Sequence, residues 1–120
     1  MPKNIVLDLQ QNPELLNTTA KEWAEAINYT KKTQVRNFYD KVLELQEEIK
    51  KEGFENVYPF IKMLNSKVAY GVSRRVVSRE FQNMMQQCLD QIKLDANGKE
   101  KFEVFKLFFE AVLGFFKGRD

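Results

Sequence analysis

Lys67, Tyr70 and Arg74 follow one another at intervals of three and four residues, the spacing that puts side chains on one face of an α-helix. With Met63 they fall in a stripe of roughly 60° on a helical wheel. Such a stripe offers phosphates cations on flexible stems, and it offers an unstacked base a flat ring. The surrounding stretch, Asn56 to Arg79, holds Lys62, Lys67, Arg74, Arg75 and Arg79 and no acid. A second stretch, Ala26 to Tyr39, holds Lys31, Lys32 and Arg36, again without an acid. The 120-residue chain has a net charge of only +2. The two stretches carry +8, so the remaining residues sum to −6. A near-neutral chain therefore has two basic segments set in an acidic remainder. The candidate nucleic-acid-binding residues are Lys32, Arg36, Lys62, Lys67, Tyr70, Arg74, Arg75 and Arg79. The competing reading makes the stripe a solvated helix face and Tyr70 a half-buried packing residue with a wet hydroxyl. No ribonucleoprotein motif, glycine-rich phosphate loop or helix-turn-helix signature decides between them.

Other chemistry has little to work with. The chain contains no histidine, which removes the usual imidazole base of a nucleophilic triad and the commonest zinc ligand. One cysteine, Cys88, allows neither an intrachain disulfide nor a Cys-x-x-Cys metal site. Cys88 shares an apolar helix face with Met84 and Met85 and reads as a small core residue. Asp40, Glu44 and Glu48 recur at intervals of four and could in principle share a metal, but carboxylate rows on helices mostly face solvent. Ser66, Ser73 and Ser78 lack a plausible base. The expectation is a non-catalytic chain with no metal and no cofactor.

The elements that must position the basic segments are helical. Five glycines and three prolines are too few for an all-β domain, and one domain is the natural count at this length. Thr19 to Glu22 has capping-box spacing, so a first helix is expected from Thr18 or Thr19, with Trp23, Ala26 and Ile27 as its stripe. Val35, Phe38, Tyr39, Val42, Leu45 and Ile49 predict a second helix over 33–52, stopped by Gly53. A third should start near Asn56, with Pro59 in its first turn and Val57, Phe60, Ile61, Leu64, Val68 and Val72 on one face. Gly71 inside it weakens the helix or admits another backbone. Arg75 would project along the apolar face, so a break is expected there. Ser78 should cap a fourth helix carrying Phe81, Met84, Met85, Cys88, Leu89 and Ile92. A turn at 95–98 leads to a fifth helix, 99–117, whose stripe of phenylalanines is wide enough to be central or shared with a partner. The fold class is thus all-α, a compact bundle of about five helices over 18–120. Residues 1–17 read as an N-terminal arm, too short to hold a core and a candidate for disorder.

No apolar run reaches the ~20 residues of a membrane span, and Asp8 interrupts the only short apolar patch near the N-terminus, against a signal peptide. With a lone thiol, the expectation is a cytoplasmic protein without a membrane partner.

Three segments in order, Thr33–Tyr39 (TQVRNFY), Lys62–Arg74 (KMLNSKVAYGVSR) and Phe108–Lys117 (FFEAVLGFFK), give the chain a resemblance to a known family. It resembles the small subunit of the type III-A CRISPR effector, the Csm interference complex, over roughly 18–117. Members resemble it in an arginine before an aromatic pair, matched by Arg36, and in a lysine, Ala-Tyr and arginine, matched by Lys67, Ala69-Tyr70 and Arg74. Their third motif ends in Ala-Tyr before a final basic residue, where this chain has Gly114-Phe115 and so no tyrosine hydroxyl. The resemblance implies several copies stacked beside guide-RNA-bound backbone subunits, holding guide RNA and target RNA by backbone contacts. It implies other copies of the chain and the backbone and large subunits as partners, with RNA cutting in a backbone subunit and DNA cutting in the large one. The alternative is a helical protein–protein adaptor with no nucleic-acid contact.

Overall fold

Phenylalanine decides where the centre of this molecule lies. In the computed structural model, which describes residues 2–119, Phe102, Phe105, Phe108, Phe109 and Val112 of one helix are wholly buried. That helix, α6 (Gly98–Phe115), packs against α1 (Ala20–Ala26), α2 (Lys32–Glu52) and α5 (Arg79–Gln91). Its rings interlock with theirs, Tyr39 and Phe109 lying 5.6 Å apart and Phe81 and Phe109 6.2 Å, and Phe38 of α2 meets Phe81 of α5 at 5.4 Å. The wide apolar stripe read from the sequence thus belongs to a central helix. At its margins Leu107 and Phe115 are exposed, and Ala111 and Leu113 are partly so.

The remaining rods are α3 (Phe54–Lys62) and α4 (Leu64–Ser73), the two arms of one helix bent at Met63. Counting them as one gives the all-α bundle of five helices expected from the pattern, among the described residues. The radius of gyration, 13.5 Å, agrees with the ~13.6 Å of a closely packed chain this long. The smallest extent is 19 Å, about two helix diameters, so the bundle is a two-layer slab.

Several local signals act as read. Gly53 takes φ +89° and ends α2. The Ser78 hydroxyl accepts from the Phe81 amide and caps α5. The α4 helix stops before Arg75, which adopts φ +63°. There the amides of Arg75 and Val76 bond back to Val72 and Gly71, a Schellman ending. Gly71 is present for space: a Cβ would lie 2.7 Å from a methyl of Val77.

Other expectations need correction. The Thr19 capping box does not form. Thr19 is buried and helical, because a π-helical turn, Leu15–Thr19, already leads into α1. Helix α3 begins directly after Gly53, so Pro59 is interior, and Phe60 points outward. Of the arm expected over 1–17, Met1 lies outside the described residues, and the part from Lys3 to Leu15 packs against the bundle. Ile5, Leu7 and Leu15 are buried, while Val6 and Leu9 face out. Among the described residues this period-two segment has no strand to pair with, so side chains satisfy it. Gln87 and Gln91 accept from the amides of Ile5 and Leu7, Gln91 also donates to the Ile5 carbonyl, and Lys101 donates to that of Leu7. The Trp23 indole donates to the Lys3 carbonyl.

Candidate nucleic-acid interface

The start of α2 and the end of α6 lie side by side, and the end of α4 meets the start of α5 next to them. Three connecting segments gather at this end of the slab: 28–32, 74–78 and 116–119. Thr30, fully buried, forms the inner pin. Its hydroxyl is 2.7 Å from that of Ser78 and accepts from the Ser78 amide at 3.1 Å. The segment following α6 forms the outer one. Its Arg119 amide donates to the Thr30 carbonyl, and its Arg119 carbonyl accepts from the Lys32 amide at 2.9 Å. The Arg119 guanidinium donates from Nε to the Tyr29 carbonyl at 2.6 Å and from Nη2 to the Arg75 carbonyl at 3.1 Å. Gly118 makes this route sterically possible. At φ +68° a Cβ would strike the Phe116 ring at 2.5 Å and Lys32 Cγ at 2.8 Å.

The convergence concentrates charge. Lys31, Lys32, Arg36, Arg74, Arg75, Arg79, Lys117 and Arg119 all lie on or beside these segments, and no acid does from 26 to 39, from 74 to 79 or from 116 to 119. The N-terminal end of the long α2 helix adds its own positive pole. Among the described residues the ion pairs are Lys41–Glu44, Lys50–Glu47 and Lys106–Glu110. Arg36, Lys67, Arg74, Arg75 and Arg79 take part in none, and all five are exposed. Two clefts open here. One, about 630 Å³, is lined by Lys32, Thr33, Arg36, Asn37 and Lys117 over an apolar floor of Leu113 and Phe116. The other, about 450 Å³, is lined by Arg75, Arg79, Arg119 and Tyr29, whose ring is 79% exposed. Lys32 of the first and Arg119 of the second are joined by a backbone hydrogen bond. Exposed cations gathered in this way attract a polyanion from a distance and hold it on contact.

The sequence-derived residues divide three ways. Lys32, Arg36, Arg75 and Arg79 line the two clefts. Lys67, Tyr70 and Arg74 form an exposed flank on α4, where the Arg74 guanidinium covers the Tyr70 ring at 5.3 Å. Tyr70 is 64% exposed, so the half-buried reading fails and the ring is available. Lys62 is not brought to this surface. Its ammonium donates to the Leu89 carbonyl and lies over Tyr58, and burial lowers its pKa from the ordinary lysine value. It is a strut between α3 and α5. Tyr29, Lys117 and Arg119 escaped the sequence reading. Lys117 ends the third motif, but no helical period links residue 119 to residues 29–32.

Among the described residues no group of three His, Cys, Asp or Glu side chains could hold a metal ion. Asp40, Glu44 and Glu48 face solvent, and Glu44 pairs with Lys41 at 3.4 Å. Cys88 is buried, which pushes its thiol pKa up and leaves it inert. No helix among the described residues is long and apolar enough to cross a membrane.

The family model described as Csm2 Type III-A matches residues 10–119 of the chain. No curated protein and no solved structure matches it.

Proposed function

Since the chain belongs to the Csm2 Type III-A family, and is thereby a subunit of a type III-A CRISPR effector complex, we propose that it is the non-catalytic, RNA-holding structural subunit of that assembly. Several copies stack along the guide–target duplex in antiviral defence, beside the backbone and large subunits. The convergence of Arg36, Arg75, Arg79, Lys117 and Arg119 at one end of the slab, on segments 26–39, 74–79 and 116–119 that hold no acid, carries this reading. Sequence selection by base pairing leaves the protein needing phosphate contacts rather than a base code. Cations on flexible stems supply those, and Tyr70 under Arg74 supplies a sequence-tolerant ring.

Binding of a labelled single-stranded RNA and of a guide–target duplex, measured across salt concentrations with the assembled complex, tests it. About five phosphate contacts to a single strand give a log–log slope near −3.5. Weak binding per copy is raised by neighbours on the same RNA through effective concentration. Arg36→Ala, Lys67→Ala and Arg74→Ala should each weaken retention and leave the melting temperature unchanged. Parent-like binding by all three would remove the site assignment.

One observation favours a second reading. Phe60 and Met63 at the α3–α4 bend are 53% and 44% exposed, an apolar contact suited to a protein neighbour. A pure adaptor would show negligible RNA affinity at ~50 mM salt even with its partners present, where phosphate contacts are at their strongest.

A further inference from the structure

The RNA-binding end is assembled from segments some 44 and 90 residues apart, and the pins that hold them differ in depth. Thr30 and Ser78 join the α1–α2 and α4–α5 connections at the buried base. The outer rims of the same connections are Tyr29 and Arg75, both exposed. Among the described residues one side chain reaches both rims: Arg119, through Nε to one carbonyl and Nη2 to the other. Its backbone is already used on either side, by Thr30 and Lys32, so the guanidinium has a fixed origin from which to span. Arg75 has a left-handed backbone, and its carbonyl, turned outward by that conformation, is what Arg119 captures. The cations on these rims repel one another, so an unpinned rim would drift apart from its neighbour.

We infer that Arg119 is a positioning residue: it locks the Tyr29 and Arg75 rims so that the two basic clefts present one continuous track to a phosphodiester backbone. The inference rests on the RNA-holding reading, and it assigns Arg119 a task beyond its charge. A planar fork is required, because a lysine has the same charge but a single ammonium that cannot address two carbonyls with fixed geometry.

The experiment uses the full chain. RNA binding against salt is measured for the parent, Arg119→Lys, Arg119→Ala and Lys117→Ala, together with amide hydrogen exchange at Lys32 and Val76. With about −0.7 in slope per phosphate contact on a single strand, Lys117→Ala should lose about one such step. Arg119→Lys, with its charge intact, should lose about two, bind about tenfold more weakly, and exchange faster at Lys32 and Val76, while α6 amides and the melting temperature stay as in the parent. Gly118→Ala, which displaces the segment by its clash with Phe116 and Lys32, should reproduce that pattern and serves if an Arg119 variant folds poorly. Parent-like binding and exchange in Arg119→Lys would overturn the inference and leave Arg119 as one cation among others. A parent that binds no RNA would instead remove the RNA-holding reading, and unaltered exchange in that setting would overturn the pinning role as well.

Discussion

The two ends of the α2–α6 pair are built with similar devices and carry opposite characters. At the far end α2 turns into α3 at Gly53, and the α5–α6 connection folds over it with Asp95 accepting from the amides of Asn97 and Gly98. The cleft there, lined by Phe54, Glu55, Leu94, Asp95 and Lys99, mixes both signs of charge. Lys62, at the other end of α3, is turned onto the Leu89 carbonyl. At the basic end the ties are made by Arg119, Thr30 and Ser78, and the other arginines are left pointing out. Composition sets the ends apart first, since Glu52, Glu55 and Asp95 sit at the far end and the basic segments hold no acid. The loop carbonyls add to that contrast by capturing Lys62 and Arg119 and leaving the other basic side chains outside.

Four perturbations break or sharpen that contrast. The largest is at the far end. Gly98→Ala would put a Cβ 2.0 Å from the Lys93 carbonyl oxygen and 2.6 Å from the Phe54 ring. Backbone cannot yield as a side chain can, so about 3 kcal/mol of stability should be lost. Denaturant unfolding measures this, and RNA affinity per folded molecule should not change. Next, Arg36→Glu at the basic end should lower RNA affinity at least tenfold, by about 1.5–3 kcal/mol for a charge-assisted contact, with unfolding unaltered. Arg75→Gly separates the two properties at one position. It relieves a left-handed non-glycine backbone worth about 1 kcal/mol against the entropy a glycine adds to the unfolded chain, so stability should change by less than about 1 kcal/mol. RNA binding should nonetheless fall. Lys62→Met, which keeps the apolar stem, should cost about 1 kcal/mol for the lost Leu89 bond and leave RNA binding intact. A drop in RNA affinity there would erase the distinction between the two ends.

A smaller effect concerns acid. The Asp8 carboxylate accepts from the amides of Gln10 and Gln11, first from Gln11, and these bonds lower its pKa below the usual 3.8. A carboxyl depressed in the folded state contributes stability above its unfolded value and loses it as pH falls through its folded one. Exchange at Gln10 and Gln11 should therefore rise only below about pH 4, with no change at the basic end.

Much of this was legible from local signals. The spacing from Val35 to Ile49 gave α2, Gly53 its end, Ser78 the α5 cap, and the misplaced Arg75 the break before it. Those features depend on neighbours within a few residues, which a linear reading can see. The π-helical turn at Leu15–Thr19 was missed because a buried Thr19 has the same composition as a cap. The arm at Ile5 and Leu7 was missed because its hydrogen bonds come from glutamines more than 80 residues away. In the site, the charge windows found Arg36, Arg75 and Arg79. They could not tell that Lys62 lies inward, nor that Arg119 lies beside Tyr29, since both facts follow from long-range carbonyl capture.

The wrap of residues 3–7 has a consequence for handling the protein. Its fastenings to Gln87 and Gln91 are neutral amides, which neither titrate nor respond much to dissolved ions. Brine that strips a bound polyanion from the opposite chemistry of the arginine-rich end would leave this wrap latched. On the RNA-holding reading, ionic strength would empty and reload the molecule while these neutral fastenings stay made, and only charged straps such as Lys101 on the Leu7 carbonyl would feel the change.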